Sequence, residues 1–536
     1  MNHPSLPVLS PGSGPSHGES GSNPLDQGDW PWLASLLVLG CLSLAVFAFN
    51  AYRLTDGQGG VPLDDAWIHF QFARNLARGD GFAFNPGQPT AGSTAPMWTL
   101  LLAGAYALGG RFPLAGQILS AACFLMTLVA TYALAKRLTG RRFAAWLAGT
   151  AVALNGRMVW AGLSALETPL FAGLSLLAIG SHLSDRSTGR YRARTASLFG
   201  LAALARPAGY LLFGLALADL ALRAARVRFR DSGSARDAAR AILRRFPFLP
   251  VLLFAAMVLP YAVFSRWVSG HLLPNTFSAK TAFNWRPDLD FVSLWARYLI
   301  LDNPILLPFF VLGVGVLVRR ARLLSGWTVG LPLVYAFLHA ELYQHGRYLI
   351  PLIPCDTVVG IIGLVQVASL TLRGGSGWLS SRNRPAVAIG LLLLIGTAWR
   401  LPTMAQLYAR NVDDINTMHV SIGRWVELHT DTDALLALND IGAITYLSQR
   451  EVVDLAGLVT PEVVPLLRAP DRASRLAELM AERSVDYVII FPNWFPGLAR
   501  RDDVLESAHQ VTLKGRTITG GEMMVVYRAR WSGQDH

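Results

Sequence analysis

Residues 30–50 read WPWLASLLVLGCLSLAVFAFN, twenty-one residues without a charge. At 1.5 Å per residue such a helix is as long as the hydrocarbon core of a bilayer, which about 20 apolar residues cross. Ten further apolar runs follow, at 113–136, 143–161, 168–183, 195–206, 208–222, 246–267, 303–318, 325–340, 348–372 and 386–403. The fold class this predicts is a polytopic α-helical membrane protein with about eleven spans. The run 96–108 is shorter and predicts a helix lying at the membrane surface.

Composition agrees. Of 536 residues 52% are hydrophobic and 15% charged, against the ~25% charged of a soluble chain. The net charge of +12 is no nucleic-acid signature, because the basic residues cluster between apolar runs. The clusters are Lys136 to Arg142, Arg186 to Arg194, eight arginines from Arg223 to Arg245, Arg319 to Arg322, and Arg373 to Arg384. With eleven spans all five fall on one side, which the positive-inside rule makes cytoplasmic. The expected location is the inner (plasma) membrane, with the N-terminus cytoplasmic and the C-terminus extracytoplasmic. Residues 1–29, rich in Ser, Gly and Pro, read as a disordered tail. Residues 30–403 read as the transmembrane domain. Cys41, Cys123 and Cys355 all fall in apolar runs and read as small hydrophobes.

After residue 403 the pattern changes. Ala434 to Leu438, Val452 to Asp454, Asp486 to Phe491 and Met523 to Tyr527 read as short buried strands, with a helix over Asp471 to Arg483. Residues 404–536 thus predict an extracytoplasmic α/β domain. It has no glycine-rich phosphate loop and takes no nucleotide.

The stretch that carries chemistry lies in the first outer loop, about 52–112. Asp64 and Asp65 open a helix whose apolar positions are Ile68, Phe72 and Leu76. Two acids there can simply favour the helix N-terminus. They can also supply a general base and an orienting or metal-binding partner. Gly79-Asp80-Gly81-Phe82-Ala83-Phe84-Asn85-Pro86-Gly87 follows as a turn-rich loop, then Gly92-Ser93-Thr94-Ala95-Pro96.

Taken together these segments resemble the first outer loop of the GT-C superfamily, membrane glycosyltransferases that use polyprenyl-phosphate-linked sugars. The likeness is nearest to the bacterial arabinofuranosyltransferase-like branch, with its Asp-Asp-Ala, Ala-Arg-Asn-Leu, Gly-x-Gly and Asn-Pro-Gly run. Later segments fit in order: Leu166-Glu167-Thr168-Pro169, Leu273-Pro274-Asn275-Thr276, His345-Gly346-Arg347-Tyr348, and Asn439-Asp440-Ile441-Gly442 with Val453-Asp454-Leu455. The chain departs from the branch at Trp67, where Tyr is common, at Ala91 to Thr94 in place of Glu-Gly-Tyr-Thr, and at Ala208 in Arg-Pro-Asp/Glu-Gly.

The resemblance implies an inverting transfer of a sugar, a pentofuranose in that branch, from a polyprenyl monophosphate to an extracytoplasmic glycan, lipid or protein. It makes the first acid, Asp64, the expected base and Asp65 its partner. Arg347 and Lys280 suit the donor phosphate, Arg as a bidentate fork and Lys as a point charge. His345 and Tyr348 can donate to the same phosphate or serve packing. Asn275 joins the donor set. Glu167, an acid at a membrane boundary, either binds sugar hydroxyls or caps the helix that follows. His69 lies one turn beyond Asp65 and reads as a structural donor more readily than as a ligand. Asp65 with a lipid phosphate can share Mg²⁺ or Mn²⁺, hard cations that prefer oxygen. The expected partners are the lipid-linked donor, the acceptor and the membrane lipids. A transporter or flippase for lipid-linked sugars, or a non-catalytic assembly partner, is the rival reading.

Overall fold

The computed structural model describes residues 25–232, 247–280, 283–340, 342–371 and 384–531. Each of the apolar runs is helical in its described part. Among the described residues six helices are long and apolar enough to cross a membrane. They become seven if Leu289–Asp302 and Leu306–Arg320, bent by 115° at Asn303 and Pro304, form one broken span.

Four runs differ from simple spans. The run 143–161 divides into Arg142–Ala153 and Gly156–Gly162, because Asn155 accepts the Met158 amide with its side chain (3.0 Å) and starts a second helix. Almost all of these two helices is buried, so they need no length to reach lipid. The runs 195–206 and 208–222 form Ala193–Ala205 and Ala208–Ser232, broken at Arg206-Pro207 where a helix cannot continue. The run 96–108 is the helix Pro96–Ala107, with Leu100 and Leu108 exposed. Cys123 and Cys355 are buried; Cys41 lies on the outer surface, and all three are free.

The end of the expected tail is not loose. Asp29 is fully buried, and Lys136 meets its carboxylate at 2.5 Å while Arg142 meets it at 3.2 Å. Of the expected tail, residues 1–24 lie outside the described residues.

The bundle has two chemically different ends. Helix Thr168–Thr188 runs from Glu167 to the Arg186 cluster, Ala193–Ala205 returns from Arg192 to Arg206, and Arg322–Phe337 starts in the next cluster. Arg186 and Arg322 converge on Asp219, at 3.2 and 2.7 Å. One end therefore gathers the clusters of Arg186 and Arg322, and the other gathers Glu167, Arg206 and the loop that carries Arg347.

The C-terminal sheet lies at that second end. Its strands are β1 (Leu435–Leu438), β2 (Glu451–Asp454), β3 (Tyr487–Ile490), β4 (Leu505–Thr512) and β5 (Met523–Ala529), in the order β2-β1-β3-β5-β4. The first three neighbours are parallel; β5 and β4 are antiparallel additions. Alternate residues bury opposite faces. Ala437, Val453, Val488 and Val525 pack on Leu476 and Met480 of the helix Arg472–Glu482. Leu436, Leu438, Ile489 and Val526 pack on Ile422 and Val426 and on Phe72 and Phe84 of the first outer loop. The first loop is thus one layer of the C-terminal domain. Each such apolar side chain contributes about 1.5–3 kcal/mol when buried, so the two regions hold each other firmly. Asn85 completes the join: its side chain donates to and accepts from the backbone of Val452 on edge strand β2, both at 3.0 Å.

Candidate functional site

Asp64 and Asp65 begin the helix Asp65–Arg78, and their side chains diverge. The Asp64 carboxylate is buried and accepts the backbone N–H of Gly442 and of Ala443, both at 2.7 Å. It anchors the start of the helix Gly442–Ser448 in the C-terminal domain. Gly442 has to be glycine, since a Cβ there would lie 2.2 Å from the Asp64 carbonyl oxygen. Burial, with the nearby Asp440 carboxylate, raises the Asp64 carboxyl to about 6, against the pull of His419 and of the two amides.

Asp65 turns the other way. Its carboxylate lies 3.0 Å from Nη1 of Arg347, and it lines two cavities at once.

The first cavity has a volume of about 300 Å³. Leu211, Leu331, Val334, Tyr335 and Phe277 form apolar walls, and Asp65, His69, Glu167, Arg206 and Arg347 gather the charge. The polar groups are tied together. Glu167 meets Arg206 Nε at 3.2 Å and His69 Nε2 at 3.8 Å. The guanidiniums of Arg206 and Arg347 lie 5.5 and 5.4 Å from the centre of the Tyr348 ring, so one aromatic face steadies both. Nη1 of Arg206 is buried and has no hydrogen-bond partner among the described residues. A buried donor left unmade costs about 1–3 kcal/mol, so this atom is suited to an anionic ligand. The site can therefore hold a phosphate at the polar end of an apolar slot.

The other expected residues fall as follows. Glu167 makes no capping hydrogen bond to its helix, so the side chain serves the cavity. His69 contacts Ser93 Oγ at 3.5 Å as well as Glu167, which makes it a positioning group. Asn275 is buried, and neither atom of its side-chain amide finds a partner among the described residues, although its neighbours Thr276 and Phe277 line the cavity. Lys280 closes the short helix Asn275–Lys280, and its side chain lies outside the described residues.

Of its two readings, His345 takes packing. It turns away from the cavity, its Nε2 lying 2.8 Å from Oδ1 of Asn411 and its ring edge against Trp160. The reason is the backbone: Gln344, His345 and Gly346 are all left-handed, at φ of 57°, 57° and 61°. Arg157 holds that turn by donating to the carbonyls of His345 (2.9 Å) and Gly346 (2.8 Å), itself fixed by Asp302 at 2.7 Å. The turn delivers Arg347 to Asp65.

The second cavity, about 730 Å³, opens between the first loop and the C-terminal domain. Asp64, Asp65 and Gln344 line one side; Asp440, Asn493, Trp494 and Arg516 line the other. His419 sits in a π-helical turn, Asn416–Val420, with Nε2 2.9 Å from Asp440. Such turns often mark functional positions.

Among the described residues no three His, Cys, Asp or Glu side chains converge as metal ligands. The cation beside Asp65 is the Arg347 guanidinium.

Sequence reading missed Arg206, Arg157, Trp494 and Arg516. Arg206 was visible as an arginine inside an apolar run, the feature that marks functional sites in membranes; it reads first as a helix break because Pro207 follows.

Comparison with known proteins agrees with this architecture. Residues 406–532 match a family described as a domain of unknown function (DUF8728). No curated protein matches the sequence. The structure is similar to that of ArnT from Cupriavidus metallidurans. For the apo state the TM-score is 0.59 at 13% identity, over 92% of this chain and 97% of that one. For ArnT bound to undecaprenyl phosphate it is 0.56 at 13% identity, over 93% and 98%. The oligosaccharyltransferase of Archaeoglobus fulgidus, in complex with Zn and sulfate, gives 0.53 at 14% identity over 91% and 73%. Arabinofuranosyltransferase AftD from Mycobacteria gives 0.50 at 18% identity over 94% of this chain and 40% of AftD. The fold is the one shared by ArnT, this oligosaccharyltransferase and AftD, and the chain is a multi-pass membrane protein.

Proposed function

We propose that the protein is an inverting glycosyltransferase that moves a sugar from a polyprenyl monophosphate to an acceptor hydroxyl outside the cytoplasm. The observation that carries this reading is the position of Asp65, on the wall shared by an apolar slot holding two arginines and a larger polar hollow. A reaction joining a lipid-linked group to a polar partner needs two such spaces to meet at one carboxylate.

The chemistry follows from the geometry. The donor's isoprenoid lies along Leu331 and Leu211, and its phosphate sits between Arg206 and Arg347. The acceptor hydroxyl enters from the second cavity. Asp65 takes its proton as the oxygen attacks the anomeric carbon from the face opposite the phosphate. The bond from that carbon to the phosphate oxygen breaks, and the electron pair stays on the phosphate. Attack from the far face inverts the anomeric centre. The two guanidiniums stabilise the charge that grows on the leaving group, an effect worth about 2.7–4 kcal/mol per well-placed donor. Asp65 then gives its proton to solvent. Glu167 holds Arg206 and His69 in register.

We assign the base to Asp65 rather than to Asp64, since both oxygens of Asp64 are committed to backbone amides. Metal is given no step, because guanidinium charge stands where a cation would act. The sequence likeness to the arabinofuranosyltransferase-like branch makes a pentofuranosyl donor the first to test. The arginine clusters at the far end of the bundle support placing the site outside. The test is transfer by the purified protein in nanodiscs from a synthetic polyprenyl-phosphate-linked pentofuranose or hexose, with product linkage read by NMR. Retention of configuration at the anomeric carbon would refute the single displacement.

A further inference from the structure

The second cavity has a build of its own, and the C-terminal domain supplies most of it. Its volume of about 730 Å³ lies within the ~300–1,000 Å³ of sites for small organic ligands. Its most distinctive element is Trp494. The indole is 39% exposed, yet held in place. Its Nε1 donates to the carbonyl of Gly520 at 2.9 Å, and its ring packs against Phe491 at 5.5 Å. Gly520 lies against the ring so closely that a Cβ would approach it to 2.5 Å. Arg516 braces the same loop through the carbonyls of Thr519 (3.0 Å) and Gly520 (2.9 Å). A rigid, accessible aromatic surface is thus set beside flat polar side chains, Asn493 and Asp440.

That combination selects a ligand class. A sugar ring has an apolar C–H face, which an indole covers at small entropic cost, and an edge of hydroxyls, which planar carboxylates and amides bind in pairs. The charge is equally selective. Asp64, Asp65 and Asp440 line the hollow; among the described residues its one lining guanidinium is Arg516, already bonded to its own loop, while His419 pairs with Asp440 and Arg347 with Asp65. A phosphate-bearing acceptor would meet like charge there. A peptide adding itself to edge strand β2 would meet Asn85, which already holds the N–H and the carbonyl of Val452 there.

We propose that this cavity is the acceptor subsite and that it takes a neutral saccharide, one ring of which stacks on Trp494 while the next presents its hydroxyl to Asp65. The proposal rests on the glycosyltransferase reading, which it narrows, and it gives the C-terminal domain the role of acceptor recognition.

The test measures binding without donor, on full-length protein in nanodiscs, by isothermal titration calorimetry. The probes are maltohexaose, a linear arabinofuranosyl hexasaccharide, a lipid A disaccharide bearing its phosphates, and a serine-rich hexapeptide. At least one neutral hexasaccharide binds, and neither the phosphorylated disaccharide nor the peptide does. Trp494→Ala lowers the affinity at least tenfold, whereas Trp494→Phe, which keeps an aromatic face but not the bond to Gly520, keeps it within about threefold. Undecaprenyl phosphate binding stays the same in both variants. Binding of no neutral saccharide, binding that ignores Trp494→Ala, equal loss in both variants, or tighter binding of the peptide or phosphorylated probe would each overturn the proposal. The two readings separate cleanly. Saccharide bound through Trp494 with no transfer from any donor defeats the enzyme reading alone, and transfer to a phosphorylated lipid or peptide defeats this one alone.

Discussion

The carboxylate of Asp65 lies 3.0 Å from the Arg347 guanidinium, while its neighbour Asp64 is turned onto the backbone of Gly442, 378 residues away in sequence. Two adjacent acids that look equivalent thus take different places, one between the cavities and one in the architecture. Asp65 joins the two cavities. Asp64 docks the C-terminal domain that walls the second one.

The division predicts the behaviour of Asp64→Asn. The amide keeps one acceptor for the two backbone N–H groups and sets a donor against the other, a loss of about 1–3 kcal/mol. The variant folds and inserts, hydrogen exchange rises over residues 441–448, and transfer falls less than in Asp65→Asn. Unchanged exchange there would contradict the docking role.

A pH dependence follows. Burial raises the Asp64 carboxyl from 3.8 to about 6 in the folded protein. A carboxyl raised on folding binds its proton more tightly in the native state. Its contribution is therefore fully present below about pH 4 and is lost as the pH rises through 6. The difference in melting temperature between wild type and Asp64→Asn should shrink from pH 4.5 to pH 7. A difference that widens over that range would reverse the sign and defeat the assignment.

The two arginines of the first cavity should act on the donor. Arg206→Ala and Arg347→Ala each lower kcat by about 10²–10³-fold, as expected for loss of a donor to developing charge, and leave acceptor affinity near normal. Arg347→Lys recovers only part of the rate, since an ammonium lacks the fork. Kinetics with the donor and acceptor varied separately decide this. A pure acceptor defect in either alanine variant would count against the assignment.

Chelation is the matching test of the metal question. Because guanidinium charge stands beside Asp65, transfer persists within about twofold after EDTA treatment. Abolition by EDTA with recovery in Mn²⁺ would place a cation at Asp65 after all.

Much of this architecture was legible in the sequence, and the exceptions have physical causes. Long apolar runs are self-sufficient signals, so the helices within them could be read, whereas Leu289–Asp302 and most of Leu401–Ile415, which lie outside those runs, were not. The internal break at Asn155 was hidden because the two short helices it separates are buried by neighbours far away in sequence. Strands β1, β3 and β5 bury both faces and read as apolar runs. Strand β4, LESAHQVT, keeps mostly polar residues outward and gave no such signal. The divergence of Asp64 and Asp65 followed from helix geometry alone, but which of them faces substrate depended on Gly442 packing against Asp64. Which of its two readings His345 takes was hidden in the sequence because its direction is set by a left-handed turn pinned by Arg157. Trp494 and Arg516 lie in loops, where no periodicity marks a binding residue.

The two ends of the bundle carry a topological prediction. Single cysteines placed at Asp80 and Arg475, in a variant lacking the native three, react with an impermeant maleimide in spheroplasts. One placed at Ser187, in the arginine-rich end, reacts only after permeabilisation. The opposite pattern would put the cavities on the cytoplasmic side.

The central claim is that Asp65 is the base. The direct measurement is the single-turnover transfer rate of Asp65→Asn, in nanodiscs, from a synthetic polyprenyl-phosphate-linked sugar, beside binding of undecaprenyl phosphate by the same preparation. The amide keeps the shape and loses the basicity. The account predicts a rate lower by about 10²–10⁴-fold with lipid binding retained within a few-fold. Transfer at the wild-type rate by folded Asp65→Asn would contradict it.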